Sequence, residues 1–346
     1  FETLLPDTFG SPENAFWIGA ISTVTLTGIY TVAGGLRAVL FTDSLQAIIL
    51  IVGSCAITYF GLEKLGGFNE LQVFASENVA QYALWRPLSD PDFPWLGILI
   101  ASPIVGIWYW CTDQYIVQRT LAAKDLKSAR RGALWGAFLK VWPVLIFLIP
   151  GLIGAALFEK ELLVISTDNR GDIIGDHVFP AMVANLLPEG LRGLVVAGML
   201  AALMSSLSSL FNSTATLFTF DVYKKLKPFA TDKKLIQVGR IATFIVVILG
   251  LLWIPIMPLI SKGGLYQYLQ SVQSYLAPPI TAVFLFGLFN SRINNKGATW
   301  GLSLGFLLGM MKLIIQAFFG KEKIANPEFL AYIGDFNFLY FSGVLF

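Results

Sequence analysis

Charge is scarce in this chain. Asp, Glu, Lys and Arg make up 13% of its 346 residues, where a soluble domain carries about a quarter. Histidine is rarer still: His177 stands alone, in what reads as a loop, so neither a histidine metal site nor a catalytic triad can be assembled. The two cysteines, Cys55 and Cys111, lie in apolar segments and form no disulfide framework. No signal-peptide pattern opens the chain. It begins at Phe1 rather than Met and stops at Phe346 inside an apolar run barely begun, so further sequence is expected at both ends. Together these shortages exclude a soluble enzyme and leave no sign of a nucleic-acid partner.

What is abundant is apolar length. The chain is 55% hydrophobic, with a mean hydropathy of +0.69. A membrane-crossing helix needs about 20 mostly apolar residues. Eight stretches qualify, at 14–34, 38–62, 94–112, 132–158, 190–220, 238–260, 263–289 and 297–319, and a ninth begins near 336. Strict barrel-type alternation is missing, so the reading is an all-α polytopic protein held in a lipid bilayer. The linkers alternate in sign. Arg119 to Arg131 and Lys224 to Arg240 are basic and read as cytoplasmic, as do the short turns holding Arg37 and Arg292. Those holding Glu70 and Asp92, or Glu159 and Asp176, are acidic and read as external. Pro103 with Gly106, Pro143 with Pro150 and Gly151, and Pro278-Pro279 predict breaks in the third, fourth and seventh spans. Such breaks mark binding sites in secondary transporters and are also common in any membrane helix.

One segment departs from the apolar pattern. MSSLSSLFNSTATLF, residues 204–218, sets Ser, Thr and Asn side chains inside the fifth span. At about 100° per residue, Ala202, Ser205, Ser206, Ser209, Asn212, Ser213 and Thr216 share one face. Ser208 falls at its edge, and the leucines and phenylalanines take the other side. Such a stripe either holds helices together through modest hydrogen bonds or offers neutral oxygens to a hard cation that must bind and leave. Three charges also fall within spans: Asp43, Lys140 and Lys312. Intramembrane charges are candidates for function. Asp43 can equally sit at a helix N-terminus or pair with Arg37, and Lys312, toward the outer end of its span, can snorkel to the interface.

Four stretches, IYTVAGGLRAVLFTDSLQ, WYWCTDQYIVQRTLAAK, SSLSSLFNSTATLFTFDVYKK and YLQSVQSYLAPPITAVF, resemble the sodium/solute symporter family, in its sodium/glucose cotransporter branch. The likeness covers essentially the whole chain, in the family's order. It implies a leucine-transporter-like fold of inverted five-helix repeats. Residues 14–62 would be the last two helices of the first repeat, 94–289 the second repeat, and 297–346 additional C-terminal helices. It implies Na+ as coupling ion, with a main site made by the Ala202 carbonyl and the Ser205 and Ser206 hydroxyls. A second site would use Asp43, Ser208 and Ser209. It further implies a sugar held by Lys140, Gln270 and Gln273, with Tyr109 and Trp110 beside it as the aromatic gate. Where some bacterial galactose carriers have an Asn, this chain has Gly106, which leaves the particular sugar open.

The resemblance thus points to a multi-pass carrier in the plasma membrane, or the inner membrane of a bacterium, that imports a glucose- or galactose-like hexose with sodium. The alternatives are a sodium-coupled carrier of myo-inositol, another polyol or an organic solute, and a non-transporting sensor of the same fold. Two sodium ions per solute are expected. Reversal potentials in proteoliposomes read that ratio, and a ratio of one, or a ratio of two surviving Asp43→Asn with Ser208→Ala, excludes the second site.

Overall fold

The computed structural model of the chain describes residues 9–83, 85–167, 171, 173–256, 265–319 and 328–346, and for residues 12, 33–43, 45, 80, 81, 256, 317–319, 328, 330 and 331 the backbone alone. The elements are helices, in order α1 (Pro12–Leu65), α2 (Phe68–Glu77), α3 (Val79–Tyr82), α4 (Trp95–Ile107), α5 (Gln114–Leu121), α6 (Leu126–Leu139), α7 (Ile149–Glu159) and α8 (Gly175–Leu186). They continue with α9 (Glu189–Leu217), α10 (Lys224–Leu226), α11 (Asp232–Trp253), α12 (Leu265–Phe289), α13 (Asn295–Phe319), α14 (Glu328–Asp335) and α15 (Phe338–Leu345). Among the described residues, eight helical stretches are long and apolar enough to cross a bilayer. The chain divides into two compact units: Phe1–Asn78 with Thr120–Pro255, and Val79–Arg119 with Ile256–Phe346.

In the first unit both expected spans are present, as the apolar windows Glu13–Val32 and Gln46–Leu65, and the backbone between them is helical within one element of 54 residues instead of forming a turn at Arg37. The joining segment has Gly34-Gly35 but no proline, so nothing removes a backbone donor and the hydrogen-bonded pattern runs on. The helix is nevertheless bent. The Tyr30 hydroxyl donates to the Met204 carbonyl of α9 at 2.8 Å, and Gly53 lies against Val195 of the same helix. Along a straight helix Tyr30 and Gly53 would stand about 35 Å apart, while Met204 and Val195 are only about 14 Å apart. Two arms of α1 therefore lie along one stretch of α9. The later arm packs into the larger core, where Ile57, Ile153, Leu157, Met182, Val183 and Val195 are buried. The earlier arm sets Val24 against Phe211 and Val247.

The fourth expected span is interrupted, as its prolines suggested. Regular α-helix stops at Leu139, and a π-helical turn covers Val144–Leu148 directly after Pro143, before α7. Pro143 has no N–H to return to residue 139, which opens the ladder there. The only histidine, His177, is in the first turn of α8 rather than in a loop.

In the second unit Pro278 and Pro279 do not break their helix. Both are buried, and α12 runs through them from Leu265 to Phe289. They remove the amide donors for the Ser274 and Tyr275 carbonyls. The Tyr275 oxygen faces Gly309 of α13, and the Pro279 ring faces Gly305, at positions where a Cβ would collide with each. Glycines at 301, 305 and 309 thus let α13 close on α12, the small-residue spacing of tightly paired membrane helices. Thr281 ties α12 to α4, its hydroxyl lying 3.0 Å from the Ile104 carbonyl and 3.1 Å from that of Ala277. The segment before α4 is pinned by Gln267, whose amide donates to Asp92 at 2.7 Å, and by Asn337, whose amide donates to the Pro91 carbonyl at 2.8 Å.

The glycine face generates a paired prediction. Gly309→Ala pushes a methyl group into a backbone carbonyl that cannot rotate away, and should destabilise the protein by about 1–3 kcal/mol. Gly301→Ala meets Val283 at an ordinary 3.5 Å and should leave stability within about 0.5 kcal/mol. Thermal melts of the two variants in detergent check this, and equal melting temperatures would refute the packing.

Candidate functional site

The oxygen-rich face is built on α9, in the first unit. Ser205, Ser208, Ser209 and Ser213 are all buried there, Ser208 and Ser209 completely. Ala202 is half-buried, and Ser206 is exposed together with Leu203 and Leu210. The buried face is therefore turned from the expected one: Ser208 lies within it rather than at its edge. The reason is the neighbour. A helical wheel says which residues share a side, whereas the two arms of α1 and helix α11 decide which side is covered.

The hydroxyls divide by how their protons are used. Ser208 donates to the Ser205 carbonyl at 2.8 Å, Ser213 to Leu210 at 2.9 Å and Thr216 to Asn212 at 2.8 Å. Each proton is spent within the helix, so outward these groups offer lone pairs, which suits a cation. The later arm of α1 runs antiparallel along this helix, with Ile49 against Gly198 and Gly53 against Val195. One turn before Ile49, this register brings Gln46 level with the start of the Ser-rich stretch. Among the described residues, the buried Gln46 Oε1 atom has no hydrogen-bond partner, nor has Ser54 Oγ on the same arm. Neither was singled out in the sequence. Gln46 stands three residues after Asp43 in TDSLQ, and that helical spacing was the available signal. The Asp43 side chain itself lies outside the described residues. Among the described residues no three His, Cys, Asp or Glu side chains gather as a metal cluster.

The residues expected to hold a solute fall in both units. Lys140 is in the first. It caps the C-terminus of α6, exposed, at the point where regular helix gives way to the π-helical turn. The other four are in the second. Tyr109 and Trp110 occupy a π-helical turn, Trp108–Thr112, that follows α4 five residues after Pro103. Their rings meet edge to face at 5.5 Å. Tyr109 is half-buried and Trp110 is 44% exposed. This turn packs against α12, which carries Gln270 and Gln273 three residues apart on one face, both partly buried. The second unit therefore gathers two amides and two aromatic rings on adjoining elements.

Lys312 does not snorkel. It is 1% exposed, and its Nζ donates to the Ile333 carbonyl at 2.5 Å and the Gly334 carbonyl at 2.8 Å. Those are last-turn carbonyls of α14, where a cation is favoured. The rings of Tyr275 and Phe341 lie 5.8 and 5.9 Å from the ammonium. The group docks α14 onto α13.

The family model described as the sodium:solute symporter family matches residues 4–305. The sodium/glucose cotransporter 4 of Danio rerio is 37% identical over 354 residues, covering 95% of this chain and 54% of that protein. The sodium/myo-inositol cotransporter 2 of Homo sapiens is 39% identical over 351 residues, covering 95% and 52%. The chain thus spans about half the length of the curated relatives it matches. A solved structure of a Na+-coupled sialic acid symporter, substrate-bound and outward-open, superposes with a TM-score of 0.70 at 22% identity, over 99% of this chain and 69% of that one. That likeness is one of fold.

Replacing Lys312 by Met keeps the bulk and removes both bonds to α14. Hydrogen–deuterium exchange should then rise at least about tenfold across residues 328–345, since charged hydrogen bonds are each worth about 1.5–3 kcal/mol, while α9 keeps its protection. Unchanged exchange in α14 would show that the ammonium does not dock it.

Proposed function

The chain belongs to the sodium:solute symporter family, and on that premise we propose that it forms part of a sodium-coupled carrier for a ring-shaped polyhydroxylated solute. The observation that carries this reading is the buried hydroxyl face of α9, with Ser205, Ser208 and Ser209, beside an arm of α1 that holds the unpartnered Gln46 Oε1. Neutral oxygens bind an alkali ion firmly enough to enter and weakly enough to release. In this proposal the Ala202 carbonyl and the Ser205 and Ser206 hydroxyls hold one Na+. Asp43 with Ser208 and Ser209 holds a second, its carboxylate balancing charge where an unpaired ion is costly.

For the solute, the proposal takes Gln270, Gln273, Tyr109 and Trp110 of the second unit, with Lys140 of the first as a further solute-binding residue that the family resemblance implies. A cyclic polyol has an apolar face that a ring covers and a rim of hydroxyls that need donors and acceptors, which amides and one ammonium supply. A carboxylate solute would call for more positive charge than Lys140 alone. No covalent step is involved: sodium favours the outward-open state and raises solute affinity, and the solute raises sodium affinity by the same factor. Assignment of 14–62 to the end of one inverted repeat and of 94–289 to the next is part of the same proposal, as is residence in the plasma membrane.

Two solutes fit this chemistry. A hexose is one, and relatives named for glucose favour it. Myo-inositol is the other, favoured by relatives named for that polyol at 38–40% identity. Gln273 stands where sugar carriers often have Thr, so this chain brings a longer group that both donates and accepts to that part of the ring.

Uptake of labelled glucose and labelled myo-inositol by the full-length protein in proteoliposomes separates these readings. Replacing sodium with potassium should abolish uptake of the true solute, and uptake indifferent to sodium ends the proposal. Ser206→Ala should raise the half-saturating sodium concentration about tenfold. Gln270→Ala should raise the half-saturating solute concentration about 5- to 100-fold, the loss expected when a buried polar partner goes unpaired. Wild-type values in both variants would move the sites elsewhere.

A further inference from the structure

Away from the residues assigned to sodium and solute, the first unit holds a cavity of about 560 Å³ between the earlier arm of α1, the end of α9 with its π-helical turn Phe218–Tyr223, and α11. It opens beside the basic linker that the charge pattern assigns to the cytoplasm. Its wall is made of threonines. Thr31 donates to the Thr27 carbonyl at 2.7 Å, Thr216 to Asn212 at 2.8 Å and Thr243 to Gly239 at 3.0 Å. With their protons committed to their own helices, these three offer the cavity lone pairs only. Thr219 differs. It is 3% exposed, and its Oγ1 has no hydrogen-bond partner among the described residues. It faces α11 at Gly239, the one residue type that leaves space in front of the hydroxyl. A buried hydroxyl is seldom left unsatisfied without a reason. At the rim stand two exposed cations, Lys224 and Arg240, and one acid, Asp232.

We propose that this cavity binds a hydroxyl-bearing phosphate, of the kind an anionic lipid headgroup presents at the cytoplasmic face. Each part of the ligand answers one part of the site. The phosphate meets Lys224 and Arg240. Its hydroxyls donate to the threonine lone pairs and to Asp232, and one of its oxygens accepts from Thr219. Inorganic phosphate, with one or two P–OH protons, would leave most of the wall acceptors unmatched, and a neutral polyol would leave the two cations unmatched. Basic pockets between membrane helices on the cytoplasmic side are a recurrent setting for lipid headgroups, and the volume lies within the range of small-molecule sites.

The test uses the full-length protein in phosphatidylcholine nanodiscs, titrated with dioctanoyl phosphatidylglycerol and separately with glycerol 3-phosphate, with bound ligand counted by native mass spectrometry. Saturable one-site binding of the lipid is expected. Binding of the lipid but not of glycerol 3-phosphate identifies a membrane ligand, and comparable binding of both identifies a soluble phosphate as a ligand of the same site. Lys224→Gln with Arg240→Gln should weaken binding about 25-fold. Thr219→Val, which changes no charge, should weaken it about fivefold with an unchanged melting temperature. Absence of saturable binding overturns the proposal. So does wild-type affinity in Thr219→Val, which would leave only attraction to surface charge. Neither result bears on sodium or solute transport, which is measured separately.

Discussion

A peptide carbonyl in hydrocarbon must find a donor, because no water is there to supply one. Much of this structure follows from that requirement wherever the helical ladder is disturbed. Pro278 and Pro279 withhold two donors, and Gly305 and Gly309, which have no side chain, let α13 pack directly over that stretch, Gly309 against the Tyr275 oxygen. The last turn of α14 has carbonyls with no successor residues, and Lys312 reaches from α13 to two of them. Tyr30 crosses from α1 to the Met204 carbonyl at the start of the Ser-rich stretch. Where Pro143 interrupts the fourth span, the ladder widens into a π-helical turn instead of ending.

The same requirement explains what was legible in the sequence and what was not. Apolar runs of sufficient length mark the spans, since only a helix satisfies its own backbone in lipid. The arrest of regular helix at Leu139 was legible in Pro143. The continuity of α1 was not: a glycine pair looks like a turn, yet glycine keeps its N–H, so the ladder can pass through it. The continuity of α12 through two prolines was hidden for a different reason. Its compensation sits on another helix, at Gly305 and Gly309, whose spacing had to be read jointly with the prolines. Lys312 was misread because snorkelling assumes lipid around the residue, and here α12, α14 and α15 surround it.

The candidate site shows a sharper limit. Helical periodicity placed Ser205, Ser208 and Ser209 near one another but could not say which of their sides would be covered, since that depends on a helix some 150 residues earlier. Gln46 and Ser54 escaped notice because an unpartnered oxygen is a property of surroundings, invisible in a residue's name. Lys140 and Gln270 belong to different compact units, and nothing local to either segment connects them. The family resemblance joined them, and periodicity alone could not.

The closure of α13 on α12 has a mechanical consequence. Two helices in contact through flexible side chains can slide, because leucines and methionines change rotamer as they pass. Here the contact is glycine against a carbonyl and a proline ring, none of which has a rotamer to change. The pair is stiff in shear, so a force on either helix displaces both. Gln270 and Gln273 ride on one member of that pair, while the other member reaches through Lys312 to α14. Any movement of the two amides is thus geared to α14, a helix that follows them by some 60 residues.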